Sequence, residues 1–216
     1  YDARKIPVLF VHGITGTPRD FAKLTDGLDR THFQPWFFYY PSGGRLDGVS
    51  DFLSETMAQL QRDLGFGRVA VVAHSMGGLV ARSFIFKHHE RMRTDPVRLF
   101  VSISSPWGGM ASAKEGAEHS PVVVPSWNDV AEDSEFLHGL FFTDPGARAR
   151  RHLPAQVPYY LIFGVDDRTI SLASGIRWEA LRDAKDRWPL PYDHTGILRS
   201  SELAQLLREI LARELG

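Results

Sequence analysis

Short apolar runs alternate along the chain with segments whose apolar residues recur at helical spacing. The apolar runs, which are typical of buried strands, are 6–11, 36–40, 69–72, 97–103 and 157–163. Helical segments are predicted over 17 to about 28, 49–64, 76 to about 88, and 201–215. Strands that alternate with helices in this way predict an α/β fold, with a mostly parallel central sheet and helices on both of its faces.

Composition narrows the class of protein. The chain has 216 residues, of which 43% are apolar and 24% charged, and these proportions fit a single domain with a full hydrophobic core over 1–216. The net charge is −1, and no basic run argues for a nucleic-acid partner. The chain has no cysteine, which excludes disulfides, thiolate metal sites and a cysteine nucleophile.

The sequence gives no sign of a membrane segment. No apolar run approaches the ~20 residues that a membrane helix needs, and no signal peptide is visible. The chain nevertheless starts with Tyr1 instead of Met, which indicates a processed or trimmed form. A secreted or cell-envelope location therefore stays open, and neither the compartment nor the oligomeric state is predicted.

Ser75 lies in the most informative segment of the chain. It follows the apolar run 69–72, precedes a helical segment, and has the small residues Ala73 and Gly77 two positions away on either side, which is the pattern of a nucleophile elbow. So tight a turn leaves room only for Gly or Ala at those positions. It exposes the serine hydroxyl in a strained conformation, next to the positive N-terminus of a helix. A simpler interpretation is a serine that caps an ordinary strand-to-helix turn.

A serine hydroxyl needs a base to become a nucleophile, and the base needs a carboxylate that orients it. In a parallel α/β sheet such groups lie in loops at the carboxyl ends of strands. The loop after 157–163 offers Asp166 and Asp167, of which we prefer Asp167, and His194 lies in a polar loop before the last helix. Each acid could equally be a turn residue whose side chain caps its own backbone. The histidine, taken alone, could simply be exposed to solvent.

The negative charge of a tetrahedral intermediate needs backbone N–H donors. Met76, directly after Ser75 at the helix start, is expected to supply one of them. The other is expected from the turn His12-Gly13-Ile14 at the end of the first strand, with the Ile14 N–H as donor. The alternative is a glycine-rich turn that has no role in ligand binding.

The stretch 107–152 follows no repeating pattern. Insertions of this length are usually functional, and this one follows the strand that ends at Ile103, beside the expected position of Ser75. It includes the run Val122-Val123-Val124 between two prolines, and an apolar cluster over 136–142 that forms one face of a short helix. Four acids before that cluster are expected to face water; they are Asp129, Glu132, Asp133 and Glu135.

Two interpretations of this insertion stay open. The first is a lid that lines or covers the site. The second is a helical segment that packs permanently on the sheet. As a lid, it would bind acyl chains through its apolar face. In that case Trp107, Leu137 and Phe141 are the residues expected to contact substrate.

Together these segments resemble the α/β-hydrolase family, and within it the bacterial lipases and esterases, including the short forms that carry Ala in the elbow as Ala73 does here. VLFVHGITG, VVAHSMGGLVAR and DHTGIL match the oxyanion turn, the nucleophile and the histidine segments, and HSMGGLVAR with SSPWGG is also similar to the GPI-inositol-deacylase-like branch. DDRTISLAS resembles the acid segment of these lipases in a register that selects Asp167, with Arg168 where glycine is usual. The region 172–191 departs from the family, because its many charged residues obscure the pattern of the strand expected there.

The resemblance implies an α/β-hydrolase fold and hydrolysis of carboxylic esters through an acyl-enzyme. Ser75 would attack, His194 would transfer the proton and Asp167 would hold the imidazole, with no metal or organic cofactor. The partner expected is a small-molecule or lipid ester. Thioesterase, amidase or perhydrolase activity would use the same triad, and a non-catalytic binding protein on the same fold is the remaining alternative.

Overall fold

A computed structural model of the protein describes residues 1–92, 95–119, 124–143 and 149–216. Six strands form one sheet in the order β2-β1-β3-β4-β5-β6, and every pairing between neighbours is parallel. The strands are β1 (Ile6–Val11), β2 (Phe33–Phe38), β3 (Val69–His74), β4 (Val97–Ile103), β5 (Tyr159–Gly164) and β6 (Asp186–Leu190). The predicted parallel sheet is confirmed.

Helices connect these strands, and two 3₁₀ turns at Pro18–Phe21 and Gly196–Arg199 add to them. The helices of the described ranges are α1 (Ala22–Asp26), α2 (Leu46–Leu64), α3 (Met76–Arg91), α4 (Ala111–His119), α5 (Pro125–Val130), α6 (Glu135–Gly139), α7 (Leu172–Gly175), α8 (Trp178–Asp183) and α9 (Ser201–Leu215). Over the same ranges, no helix combines the length and the apolar character that crossing a bilayer requires.

The sheet separates two apolar layers, as the alternation of side chains along β3 shows. Val69 and Val71 belong to the core layer that α2 and α3 cover, whereas Ala70 and Val72 belong to the layer that α1 and α9 cover. All six residues of β3 are buried, which explains its continuous apolar sequence. The prediction of helices on both faces is therefore confirmed.

The two edge strands depart most from the sequence prediction. β2 begins at Phe33, before Pro35, and among the described strands it pairs only with β1. An edge strand tolerates proline because one row of its N–H groups has no partner strand. β6 carries the charged residues Asp186 and Arg187, both exposed, and within the part of the chain that the structure describes its one partner strand is β5. Charges of this kind are common on edge strands and hide the strand pattern in the sequence.

The insertion after β4 divides into two parts with different surroundings. Leu137, Leu140 and Phe141, in and just after α6, are at most 2% exposed and belong to the core layer that contains α2 and α3. The apolar cluster at 136–142 thus completes the core, whereas α4 and α5 lie beside the candidate site. Part of the predicted lid, at 120–123 and 144–148, lies outside the described residues, and so do Val122 and Val123 of the valine run.

Arg82 on α3 holds the insertion in place from inside the core. Its side chain is fully buried, donates to Leu140 O at 2.9 Å and forms an ion pair with Asp183 at the end of α8. The guanidinium also lies 4.5 Å from the centre of the Phe141 ring. Because a buried ion pair is costly to break, these contacts fix the segment around α6 against α3.

Asp129 corrects one sequence expectation, since its side chain is buried instead of facing water. Its Oδ2 accepts a hydrogen bond from Leu46 N at the start of α2 at 2.6 Å, and its Oδ1 pairs with Arg45 at 2.9 Å. The carboxylate therefore caps the N-terminus of a helix from a different element. The other three acids of that group are exposed; they are Glu132, Asp133 and Glu135.

Candidate active site

Ser75 lies in the sharp turn between β3 and α3. Its backbone has φ 55° and ψ −133°, a conformation that is strained for a residue with a side chain. Ser75 N donates to Ile103 O at the end of neighbouring β4 at 2.8 Å, which fixes the turn against the sheet. The first turn of α3 starts directly afterwards at Met76, so its N–H groups lie beside the serine.

Glycine is required at the two positions that follow Met76, because neighbouring atoms leave no room for a side chain. A Cβ on Gly77 would lie 2.4 Å from Val11 O and 2.5 Å from His12 O, far inside contact distance. A Cβ on Gly78 would lie 2.0 Å from Ser105 Oγ. The glycine at +2 is therefore required by the backbone at the end of β1.

Ser75, His194 and Asp167 form a continuous chain of hydrogen bonds. His194 Nε2 lies 2.9 Å from Ser75 Oγ, and His194 Nδ1 lies 2.7 Å from Asp167 Oδ2. Asp167 follows β5 and His194 follows β6, so all three side chains meet at the carboxyl edge of the sheet. The His194 and Asp167 side chains are only 13% and 4% exposed.

Asp167, and not Asp166, faces the histidine. Its Oδ1 accepts from Thr169 N at 2.8 Å and from Ile170 N at 2.9 Å. Burial by itself raises the pKa of the Asp167 carboxyl, but the hydrogen bonds from His194 and these two backbone groups lower it by more, and its pKa lies below the ordinary value. Asp166 is exposed to solvent.

The turn after β1 approaches Ser75 closely. A Cβ on Gly13 would lie 2.7 Å from Ser75 Cβ, so only glycine lets the backbone pass here. His12 holds this turn, because its Nε2 accepts from Tyr40 N at 3.3 Å and its Nδ1 therefore donates to Gly13 O at 2.8 Å. Neither Ile14 N nor Met76 N donates to an acceptor among the described residues.

A cavity of about 570 Å³ opens beside Ser75 and His194. One part of its wall is apolar and comes from the insertion. Those wall residues, at the start of α4 and along α5, are Met110, Ala113, Trp127 and Val130. Ile14 also lines the cavity, as does His74. The site therefore combines a hydrogen-bonded serine with an apolar space large enough for a small organic ligand.

The three side chains that the sequence analysis placed against substrate lie elsewhere. Trp107, Leu137 and Phe141 are at most 1% exposed and are absent from the cavity wall. Trp107 packs edge-on against Phe100, with ring centres 6.3 Å apart, and against Phe141 at 6.0 Å. This placement corrects that expectation: these residues fill the core beneath the insertion, because the chain turns inward after β4.

The residues that line the apolar wall are not among those predicted from the sequence to contact substrate. Trp127 and Val130 lie three positions apart on α5, which puts them on the same face of that helix. That spacing was a usable signal, but the helix is too short for its periodicity to stand out. Within the described ranges, no cluster of histidine and acidic side chains is arranged to hold a metal ion.

Comparison with known proteins extends these observations. A sequence model of the family described as alpha/beta hydrolase fold matches residues 6–134. No curated protein matches the chain. Among solved structures, the product of the Listeria innocua gene lin2722 is similar with a TM-score of 0.70 and 15% identity, covering 96% of this chain and 94% of that one.

Two further structures have informative names. Aspergillus fumigatus lipase B is similar with a TM-score of 0.72 and 19% identity, and the match covers 99% of this chain but 55% of the lipase. The RedJ thioesterase of the prodiginine pathway in Streptomyces coelicolor gives a TM-score of 0.67 at 15% identity, over 97% of this chain and 90% of that one. At such identities the likeness concerns the fold. From the family match and the parallel sheet, the chain belongs to the α/β hydrolase fold family.

Proposed function

We propose that this protein is a serine hydrolase that cleaves carboxylic esters through an acyl-enzyme intermediate. The observation that carries the proposal is the chain of hydrogen bonds from Ser75 through His194 to Asp167 beside an apolar cavity. A nucleophile, a base and an orienting carboxylate in this order make up the machinery of acyl transfer. The family match is compatible with such a hydrolase.

In the first half-reaction, Ser75 Oγ attacks the carbonyl carbon of the ester while His194 Nε2 removes the hydroxyl proton. The tetrahedral intermediate then collapses, the bond from the carbonyl carbon to the alcohol oxygen breaks, and His194 returns the proton to the leaving alcohol. In the second half-reaction, a water molecule attacks the acyl-serine with the same histidine as base. The carboxylic acid leaves and Ser75 regains its proton.

Asp167 has two tasks in this scheme. Its hydrogen bond to Nδ1 keeps the proton on that nitrogen, so that Nε2 faces Ser75 as an acceptor. Its depressed pKa keeps the carboxylate ionised, and the charge stabilises the imidazolium that forms during attack.

The Ile14 and Met76 N–H groups are proposed as the oxyanion donors. Met76 begins α3, where N–H groups have no partner within the helix. Ile14 follows the close approach of Gly13 to Ser75 and lines the cavity. A single donor of this kind typically contributes about 3 kcal/mol of transition-state stabilisation.

The acyl group is proposed to lie against Met110, Trp127 and Val130. These residues form the apolar wall and take over the role that the sequence analysis assigned to Trp107, Leu137 and Phe141. Each methylene buried there would contribute about 0.8 kcal/mol. The proposed substrate is therefore an ester with a small to medium apolar acyl group.

A thioesterase is the second candidate, favoured by the likeness to RedJ. Its chemistry would use the same three side chains, with a thiol instead of an alcohol as the leaving group. Amidase and perhydrolase activities would also use them, and the non-catalytic alternative would use none. Parallel assays with p-nitrophenyl esters, acyl-CoA and amide substrates separate these activities.

The proposal is tested with Ser75→Ala and a fluorophosphonate probe. We expect wild-type protein to be labelled and to hydrolyse p-nitrophenyl esters, and Ser75→Ala to lose labelling and several orders of magnitude in kcat. Ser201→Ala, at an exposed position, is the matched control and should behave as wild type. If Ser75→Ala keeps more than about a hundredth of wild-type kcat, Ser75 is not the nucleophile.

A further inference from the structure

His74 has an unusual position, because its side chain contacts the loop that carries His194. The His74 ring lies beside the His194 ring, with centres 4.7 Å apart and an angle of 42° between the planes. His74 Nε2 lies 2.8 Å from the main-chain oxygen of His194. The proposed triad makes no use of this side chain.

The contact shows which ring nitrogen of His74 carries a hydrogen. A carbonyl oxygen only accepts hydrogen bonds, so Nε2 must carry the hydrogen and donate it. Burial, reinforced by the neighbouring His194, lowers the pKa of His74 to about 4. At neutral pH the ring is therefore uncharged and adds no repulsion beside the imidazole on which positive charge develops.

This hydrogen bond connects two distant parts of the chain. Asp193 Oδ1 accepts from Thr195 N and Gly196 N, and these bonds lie within the loop itself. Over the ranges that the structure describes, the bond from His74 is the one hydrogen bond between the main chain of this loop and β3. Since His74 precedes Ser75 directly, it fixes the loop relative to the nucleophile.

We propose that His74 is a positioning residue: its Nε2–H holds the His194 main chain so that the imidazole stays aligned with Ser75. The inference rests on the proposed function, because it presupposes that His194 acts as the base. Alignment of this kind matters for rate, since a displacement of about 1 Å can cost about 10²-fold. The competing explanation is that His74 only fills space within the elbow.

Two variants of His74, with a control at His88, distinguish a positioning role of the His74 side chain from simple packing. His74→Leu keeps an apolar volume but removes the donor, whereas His74→Gln carries an amide N–H at the same number of bonds from Cα as Nε2. We expect His74→Leu to lower kcat for p-nitrophenyl butyrate about 10- to 100-fold with KM changed less than about twofold. His74→Gln should restore kcat to within about threefold of wild type.

His88→Leu is the matched control. His88 is also a fully buried histidine, but it lies on α3 against Phe84 and contacts none of the three proposed triad residues. The same substitution there removes a buried imidazole without touching the His194 loop. Its kcat should equal that of wild type, even if its melting temperature falls as far as that of His74→Leu.

A double-mutant cycle with His194→Ala tests whether His74 acts through His194. If it does, His74→Leu should change the residual rate of His194→Ala by less than about threefold. An equal loss in both backgrounds would overturn the inference, as would a His74→Gln variant no more active than His74→Leu. An inactive wild-type protein, or full activity in Ser75→Ala, would instead refute the proposed function.

Long-range ¹H–¹⁵N NMR on the wild-type protein gives a readout that does not depend on any variant folding. At about pH 7 we expect the His74 signals of a neutral imidazole with the hydrogen on Nε2. A neutral ring with the hydrogen on Nδ1 would contradict the bond to the His194 main chain and overturn the inference.

Discussion

At the scale of single residues, two adjacent acids in the loop after β5 are candidates for orienting the histidine, and the proposal assigns that role to Asp167 instead of Asp166. Asp167→Asn should lower kcat/KM by up to about 10⁴-fold, because an amide favours the wrong tautomer of the histidine. Asp166→Asn is the matched control, and it should stay near wild type because that side chain is exposed and outside the hydrogen-bond chain. Steady-state kinetics at constant pH measures both, and a larger loss in Asp166→Asn would reverse the assignment.

The structure brings the polar residues proposed for the site together, but it places the apolar ones elsewhere. Ser75, Asp167 and His194 were selected because nucleophilic chemistry needs those residue types at strand ends, and the structure brings them together. Trp107 and Phe141 were misplaced because an apolar side chain follows the same pattern whether it lines a cavity or fills a core. Only the packing of the whole chain separates the two cases.

At the scale of elements, α5 and α6 should respond differently to truncation. Phe141→Ala, just after α6, should cost about 3–5 kcal/mol of stability by leaving a cavity in the core, and should leave acyl-chain preference unchanged. Trp127→Ala on α5 should shift preference toward longer acyl chains, because it enlarges the cavity, with a smaller loss of stability.

Urea unfolding and an activity profile over p-nitrophenyl esters of two to sixteen acyl carbons measure these effects together. A shifted profile in Phe141→Ala with an unchanged free energy of unfolding would show that the α6 region is a lid after all. An unchanged profile in Trp127→Ala would exclude α5 from the acyl site.

Central elements were predictable and peripheral ones were not. β1, β4 and α9 have the bounds that their patterns predict, since buried strands and amphipathic helices must repeat at fixed periods. The charged strand β6 and the short helices α4 and α5 were not predicted, because an edge strand buries little and a helix of one or two turns shows little periodicity. Of the short helices in the insertion, only the region of α6 was expected, from the apolar cluster at 136–142.

At the scale of the whole molecule, buried histidines should make stability depend on pH. The pKa of His74 is about 4 in the folded protein and about 6.5 in the unfolded chain. Below about pH 6.5, the unfolded state therefore binds a proton at His74 that the folded state does not bind. Stability should fall as the pH drops from about 6.5 to 4, by up to about 3 kcal/mol from this residue. Burial also lowers the pKa of His88 and of His12, so both residues add to the loss of stability as the pH falls.

Urea unfolding at several pH values between about 7.5 and 4.5 measures this dependence. His74→Gln, which removes one titrating group, should flatten the curve in that range. A free energy of unfolding that stays constant or rises as the pH falls from about 7 to 4.5 would contradict the expected linkage.

The wholly parallel sheet has a consequence for how the protein folds. Each described strand pair joins segments linked by a long crossover, and the proposed base and nucleophile lie 119 residues apart. Contacts of such high sequence separation make folding slow, because loop-closure entropy is lost before the contacts form. Recovery of the proposed esterase activity after dilution from urea should therefore report completion of the native topology, and it should follow the early gain of helical circular dichroism with a delay.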